Sequence, residues 1–264
     1  MEKQKVPLLS FSGGLDSTFL LQGLLEKGDV ETLYVTGAQC GIKVEKEKEV
    51  RKKIIKKLEE LTGNKVRKDH HVVVKDLFTG DMPDHAFLQP ALWINGALQV
   101  SNADVHEYLA IGYVAGDQVS CMLPEIEKTW VSIQSFTKHT PIPVEFPLKF
   151  MRKLDILERI YPETVQHVWV CEMPEVMRKG KKVLVTKTEL FDKIKPCGYC
   201  AACLTSHGTL AMWKARYGVP YSTSWITRLN ARAYHRQALE ETPELPQPSY
   251  IDLYEPELVI LDQA

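Results

Sequence analysis

A six-residue stretch, Ser12 to Ser17 (SGGLDS), constrains the fold of this chain more than any other feature. It follows an apolar run, Val6 to Phe11, that predicts a buried strand, and it precedes Thr18 to Leu25, which predicts a helix. The glycine pair lets the backbone of the turn approach a ligand closely. The amides of the new helix then point at the same place, with the helix dipole behind them. The stretch therefore predicts a strand, an anion-binding turn and a helix in succession.

The polarity of this turn favours a pyrophosphate group. Two serine hydroxyls add donors, and an aspartate inside the turn indicates a Mg²⁺ ion shared with phosphate oxygens. The alternative is an ordinary tight turn before a helix, but Ser-Gly-Gly-x-Asp-Ser directly after a strand is far more specific than a lone glycine motif. The residues predicted to contact phosphate are Ser12, Gly13, Gly14, Leu15, Asp16, Ser17 and Thr18.

The first half of the chain alternates predicted strands and helices. This alternation predicts an α/β fold, a parallel sheet flanked by helices with a ligand at the carboxyl ends of the strands. We place this domain at residues 1–163. Its further strands are predicted at 31–36, 71–74 and 109–114, its helices at 46–61, 93–110 and 148–160, and an extended segment at 141–147.

Composition excludes several classes of protein. The formal net charge is −1, so no strong field attracts nucleic acid or anionic lipid. The apolar runs are shorter than the roughly 18 residues that cross a bilayer. The amino terminus, MEKQK, has no apolar core of a secretion signal. We therefore expect a cytoplasmic protein with no membrane partner.

The chain has 6 cysteines, which in such a protein argue for metal binding or catalysis rather than disulfides. Cys197, Cys200 and Cys203 supply three thiolates within one short segment. A closed zinc site needs four ligands. Cys171 is the favoured fourth ligand, and His207 competes because it lies one helical turn after Cys203. The other interpretation is a set of buried or redox-active thiols.

Residues 164–239 are predicted to form a zinc-binding carboxyl-terminal element, and residues 240–264 an acidic, proline-rich tail. A basic hairpin is predicted at 178–185, between the first cysteine and the other three. The hairpin is either a solvated turn or, with the tail, a docking element for a protein partner.

The order of these motifs resembles that of the 7-cyano-7-deazaguanine synthases, a family of PP-loop ATP pyrophosphatases. The resemblance rests on the Ser-Gly-Gly-Leu-Asp-Ser turn and the cysteines. It also includes Pro147-Leu148 followed by Lys153, the Trp169-x-Cys171 segment, and the loop from Gly112 to Asp117. The resemblance implies a PP-loop fold, like the adenine nucleotide alpha hydrolases, with a zinc-binding helical element near the carboxyl terminus.

The resemblance also implies a reaction. ATP would adenylate 7-carboxy-7-deazaguanine with release of pyrophosphate, ammonia would displace AMP to give an amide, and a second ATP would convert the amide to a nitrile. ATP, Mg²⁺ and Zn²⁺ would be the cofactors, with Cys171, Cys197, Cys200 and Cys203 as zinc ligands. Family members often form homodimers, so a homodimer is expected.

Carried over by position, Asp16, Lys153 and Asp117 would be catalytic, and Gln39 and Asn95 would bind the substrate. Lys153 has an alternative as a surface lysine, and Asp117 as a loop cap. The chain departs from the family where substrate binds, because Gln39 has no basic residue beside it and the segment around Asn95 has no arginine. Two alternatives follow: an adenylating enzyme with a different co-substrate, or a non-catalytic nucleotide-binding subunit of a complex.

Overall fold

The structure is a computed structural model of the chain. It describes residues 4–37, 41–74, 85–117, 119–136, 140–165 and 167–171, and after these only 175–178, 181–182, 194–195, 203 and 209. The chain divides into two compact units, Met1–Trp169 and Val170–Ala264.

The first unit is built on a sheet of five parallel strands, in the order β3-β2-β1-β4-β5. Apolar, β-branched runs form the central strands, which are covered on both faces. The predicted α/β fold with a parallel sheet is thereby confirmed. The strands are β1 (Val6–Ser10), β2 (Val30–Gly37), β3 (Val66–Val74), β4 (His106–Ile111) and β5 (Val144–Glu145).

Helices flank this sheet. On one face, Trp93 and Trp130 pack with Leu8 of β1 in a single apolar core. Leu9 points to the other face because side chains alternate along a strand, and it is also fully buried. The helices are α1 (Leu15–Leu25), α2 (Gly41–Thr62), α3 (His85–Val100), α4 (Leu123–Gln134), α5 (Lys153–Leu157) and α6 (Pro162–Val165), with a 3₁₀ turn at Ser120–Met122.

The strand order reverses between β1 and β4. From β1 the chain proceeds to β2 and β3, and it then returns through α3 to pair β4 with the opposite edge of β1. The connections that leave β1 and β4 therefore diverge, and such a point opens a crevice at the carboxyl ends of the strands. The Ser12–Ser17 turn and the loop after β4 meet at this crevice.

One predicted helix, 93–110, is wrong in its second half. Helix α3 ends at Val100, and β4 begins at His106. The Asn102 carbonyl accepts the amides of Val105 and His106 at 2.9 and 2.7 Å, which closes a turn between the two elements. The Asn102 side chain also accepts the Asp104 amide at 2.9 Å, and such side-chain bonds compete with helical hydrogen bonds. The continuous apolar pattern concealed the turn.

The predicted helix at 148–160 is also too long. The Met151 amide donates to the Leu148 carbonyl at 2.8 Å, so this part is a turn. The Arg152 amide then donates to Asp155 Oδ2 at 2.8 Å, and the short helix α5 begins at Lys153. Strand β3, in contrast, begins earlier than predicted because its exposed polar residues, Arg67 to Asp69, did not resemble a strand.

In the second unit, β6 (Glu175–Arg178) lies between β7 (Lys181–Lys182) and β8 (Ile194–Lys195) in an antiparallel sheet. Arg178 pairs with Lys181, which agrees with the predicted hairpin where it is described. The predicted tail lies outside the described residues. Within the described part of the chain, no helix has the length and apolar character needed to cross a bilayer.

Candidate functional site

The turn after β1 is held in shape from behind. Gly13 has a φ of +85°, a conformation that residues with a Cβ rarely adopt. A Cβ at this position would also lie 3.1 Å from Cγ of Arg51 on α2. The Trp169 amide donates to the Gly13 carbonyl at 3.0 Å. Glycine at position 13 is therefore required by both conformation and space.

The hydroxyls of Ser12 and Ser17 lie at the turn and form hydrogen bonds with its backbone. The Gly14 amide donates to Ser12 Oγ at 3.3 Å, and Ser17 Oγ donates to the Gly14 carbonyl at 3.2 Å. The two hydroxyl oxygens are 3.2 Å apart. Either hydroxyl can donate to the other. The hydroxyls are thus oriented by the turn itself.

Helix α1 begins at this turn with an uncapped amino terminus. Gly14 is the N-cap residue, and no side chain among the described residues caps the helix. The first intrahelical bond runs from the Thr18 amide to the Gly14 carbonyl at 2.9 Å. The amides of Leu15, Asp16 and Ser17 precede it and have no partner inside the helix. With the helix dipole, they form an anion-binding site.

Asp16, Lys153 and Asp117 converge beside this helix end. Lys153 Nζ lies 2.8 Å from Asp16 Oδ2 and 3.6 Å from Asp117 Oδ1. The three side chains are 19%, 24% and 25% exposed, respectively, so the group is half-buried at the crevice. The structure therefore brings together the three residues that were predicted to be catalytic, and their roles remain predictions.

Burial and pairing act in opposite directions on this ion pair. Burial raises the pKa of Asp16, and the attraction of Lys153 offsets only part of that rise. Burial by itself would lower the pKa of Lys153, but the carboxylates of Asp16 and Asp117 together raise it above its usual value. The lysine is therefore held charged, whereas the Asp16 carboxylate is short of positive partners.

One oxygen of Asp16 shows the same shortage directly. Asp16 Oδ1 is buried and has no hydrogen-bond partner among the described residues, and the same is true of Thr18 Oγ1. A buried carboxylate oxygen without a partner is costly. A hard divalent cation such as Mg²⁺, which prefers carboxylate and phosphate oxygens, would satisfy it. The donor set therefore fits a magnesium ion, which Asp16 would hold and which would neutralise charge on a phosphate ligand.

The loop after β4 completes the site. A Cβ on Gly112 would lie 3.3 Å from the Asp16 carbonyl carbon and from the Ser17 amide nitrogen, so a larger residue would push this backbone back by a few tenths of an ångström. Further along, the Val114 amide donates to Asp117 Oδ2 at 3.0 Å, which orients the carboxylate. The predicted cap role of Asp117 and its contact with Lys153 therefore exist together.

The sequence analysis did not identify Arg51, which packs behind the turn. Its guanidinium lies 4.4 Å from the centroid of the Tyr34 ring and 5.3 Å from that of the Phe11 ring, and it forms an ion pair with Asp69. Burial lowers its pKa, against the attraction of Asp69. Its spacing from Ile54 and Leu58 places Arg51 on the apolar face of α2. This spacing could have indicated a buried arginine, but the many other charged residues of the helix obscured it.

The remaining predicted residues have other surroundings or lie outside the described part of the chain. Asn95 is exposed on α3 and accepts a hydrogen bond from Gln99 Nε2 at 3.0 Å. Cys171 and Cys203 are both fully buried in the second unit, and their role as zinc ligands stays a prediction. Gln39, Cys197, Cys200 and His207 lie outside the described residues.

The likeness of this chain to known proteins is structural. No family model matches the chain, and no curated protein matches it. Among solved structures, it is similar to the U34-tRNA thiolase NcsA from Methanococcus maripaludis with its [4Fe-4S] cluster. The identity is 17% and the TM-score 0.40, over 92% of this chain and 75% of that one. The interpretation of the site therefore depends on its own geometry.

Proposed function

We propose that this chain is an adenylating enzyme that cleaves ATP between the α and β phosphates and releases pyrophosphate. The observation that carries the proposal is the buried, unpartnered Oδ1 of Asp16 at the uncapped amino terminus of α1. An anion-binding helix end and a carboxylate in need of a cation, side by side, suit a magnesium-bound polyphosphate.

The groups at the crevice have complementary roles in this proposal. The amides of Leu15 to Ser17 and the hydroxyls of Ser12 and Ser17 would bind the phosphate oxygens. Lys153, kept charged by two carboxylates, would stabilise the negative charge that develops on the leaving pyrophosphate. Asp16 would hold the magnesium ion, which neutralises phosphate charge when bound.

Asp117 acts on Lys153 rather than on phosphate. Its carboxylate is fixed by the Val114 amide and lies 3.6 Å from Lys153 Nζ. If Asp16 turns toward a metal ion, Asp117 still holds the ammonium group at the crevice. Lys153 would therefore stay charged and in place throughout the reaction.

For the co-substrate, the sequence resemblance supports 7-carboxy-7-deazaguanine with ammonia. The carboxylate oxygen would attack the α phosphorus, and pyrophosphate would leave. Ammonia would then attack the acyl carbon and displace AMP to give the amide. The amide oxygen would then attack the α phosphorus of a second ATP with release of another pyrophosphate, and loss of AMP with two protons would leave the nitrile. The four cysteines Cys171, Cys197, Cys200 and Cys203 would hold a structural zinc ion, and the enzyme would be a homodimer.

A second candidate is adenylation of a different carboxylate, on a protein or a nucleotide. Asn95 supports it, because this expected substrate ligand is exposed on α3 and bonded to Gln99. The sequence beside Gln39 also lacks the basic residue of the family. The basic hairpin at 178–185 would then help to bind the macromolecule.

The full chain incubated with ATP, Mg²⁺, ammonium and 7-carboxy-7-deazaguanine tests these alternatives. We expect AMP and pyrophosphate in equal amounts, together with a nitrile product identified by mass. AMP and pyrophosphate formed only with another carboxylate would support the second candidate. ATP that binds but is not cleaved with any co-substrate, or release of ADP, would contradict the proposed function.

A further inference from the structure

A second cluster of titratable side chains lies at the other end of the sheet, toward the amino ends of the strands. Glu31 is near the start of β2, His70 is on β3, and His106 begins β4. Glu31 Oε2 lies 2.6 Å from His70 Nε2 and 3.2 Å from His106 Nε2. The side chains are 12%, 13% and 2% exposed, respectively. One carboxylate oxygen therefore joins two imidazoles across three strands.

Two histidines and a carboxylate this close are a ligand set that binds metal ions. The hydrogen bond on the far side of His106 opposes that interpretation. The Asn102 amide donates to His106 Nδ1 at 3.0 Å. A neutral imidazole has one N–H hydrogen. Because Nδ1 accepts here, that hydrogen must be on Nε2, the atom that faces Glu31. Metal-binding histidines show the reverse, with the second ring nitrogen donating to an oxygen.

We propose that Glu31, His70 and His106 form an acid-sensitive latch on the Asn102 turn: an ionised Glu31 holds both imidazoles by their Nε2–H groups, and protonation of His106 at Nδ1 breaks its bond to the Asn102 amide. A hydrogen on Nδ1 would face the Asn102 amide hydrogen, donor against donor. The two groups must then separate. Uptake of a proton at His106 is therefore coupled to opening of the Asn102 turn.

The turn that the latch controls determines where β4 begins. The Asn102 carbonyl accepts the amides of Val105 and His106, and the Asn102 side chain accepts the amide of Asp104 at 2.9 Å. The Val105 carbonyl in turn accepts the Val6 amide at 2.9 Å, which joins the turn to β1. Loss of the Asn102–His106 bond would therefore loosen the amino ends of two central strands.

The charged surroundings agree with this direction. His106 faces Glu31 from β2, and His70 and Lys68 from β3, while its β1 partner Val6 is apolar. Asp104 is exposed in the turn. Burial lowers the pKa of His106, aided by His70 and Lys68 and opposed by Glu31.

Glu31 shifts in the sense that keeps it ionised. Burial alone would raise its pKa, but hydrogen bonds from the two imidazoles lower it overall. For His106, whose pKa in the folded chain is below 6.5, the latch contributes stability above that pH. The contribution is lost as the pH falls below 6.5, because the unfolded chain then binds more protons.

Nitrogen-15 NMR of the full, unmodified chain tests the latch without a variant. At pH 7.5 we expect His106 to be the Nε2–H tautomer, with Nδ1 unprotonated. On acidification, charging of His106 and loss of hydrogen-exchange protection at the Asn102 amide should follow one titration curve. An Nδ1–H tautomer would overturn the proposal. So would a protection factor at the Asn102 amide that does not change when His106 becomes charged.

A variant and a metal titration sharpen the test. In His106→Gln, which keeps a donor toward Glu31, the Asn102 amide should lose about fivefold or more of its protection at every pH, since a net hydrogen bond is worth about 1 kcal/mol. His71→Gln, a change at an exposed neighbour on β3, should leave Asn102 unchanged. Added Zn²⁺ should not move the ring signals. A zinc-induced shift of His70 and His106 together would overturn the latch in favour of a metal site.

Discussion

Two carboxylates lie at opposite ends of one parallel sheet and have opposite surroundings. Asp16, at the carboxyl ends, has one oxygen on Lys153 and the other buried without a partner among the described residues. Glu31, toward the amino ends, accepts hydrogen bonds from two imidazoles. The pKa of Asp16 is raised, with burial as the largest cause, whereas that of Glu31 is lowered because the two imidazoles outweigh burial.

The difference separates a ligand site from a structural one. A satisfied buried network rigidifies a fold, while an unsatisfied buried group has a cost that a bound ligand can remove. The Glu31 cluster has the residue types of a metal site but the hydrogen bonds of a closed network. Asp16 already pairs with Lys153 through Oδ2, and its Oδ1 can still bind a ligand.

The largest expected effect is on catalysis. Asp16→Asn should lower the rate of AMP and pyrophosphate release by about 10²–10³-fold, the scale for loss of one electrostatic group at a transition state. Glu31→Gln is the matched control, the same carboxylate-to-amide change at the other end of the sheet, and its kcat should be unchanged. Release rates measured on both variants decide the point. Equal losses in the two variants would remove the distinction.

Stability should rank the same two variants in the reverse order. Glu31→Gln should lower the free energy of unfolding by ~1–3 kcal/mol, because a neutral amide oxygen accepts the two imidazole hydrogens more weakly than a carboxylate oxygen does. Asp16→Asn should cost less, since burial already penalises the Asp16 charge. Urea unfolding at pH 7 measures both. A larger loss in Asp16→Asn would contradict this account.

The contact between Gly112 and α1 gives a smaller effect. Gly112→Ala should weaken ATP binding about tenfold, since its Cβ would press on the backbone of Asp16 and Ser17 and overpacking costs ~1–3 kcal/mol. Gly23→Ala on α1 is the control, because its Cβ meets nothing within 4 Å. That change should leave binding unaltered and stabilise the helix by about 0.5–1 kcal/mol. Titration calorimetry with ATP compares them, and unaltered binding in Gly112→Ala would argue against the crevice.

The smallest effect is on the pH dependence of stability. The raised pKa of Asp16 contributes stability in acid that is lost as the pH rises through that pKa. The lowered pKa of Glu31 contributes stability above 4.5 that is lost as the pH falls through its folded value. As the pH falls, Asp16→Asn should therefore steepen the loss of stability above pH 3.8, and Glu31→Gln should flatten it below pH 4.5. Changes of the same sign in both variants would contradict the contrast.

The site around Asp16 was predicted from the sequence, and the cluster around Glu31 was not. The turn after β1 is local: glycines, serines and an aspartate between an apolar strand and a helix leave few alternatives. Lys153 lies 137 residues from Asp16, and only the family resemblance connected them. The Glu31 cluster depends on the register of β2, β3 and β4, and no spacing within one segment encodes it. The same limit applies to Arg51, whose partner Asp69 is on another strand.

The boundaries that were wrong have a related cause. The apolar pattern from Trp93 to Ala110 continues through a turn, and the hydrogen bonds of Asn102 decide where the helix ends. Within the two mistaken helices, 93–110 and 148–160, a carbonyl or a side chain binds backbone amides just after α3 ends and where α5 begins. Periodicity gave the element type, and these local bonds set its length.

A crystal structure of the full chain with Mg²⁺ and a non-hydrolysable ATP analogue tests the central claim most directly. The account predicts the phosphates on the amides and hydroxyls of the Ser12–Ser17 turn, the magnesium ion on Asp16, and Lys153 against the phosphates. Phosphates bound elsewhere while this turn stays empty would contradict it.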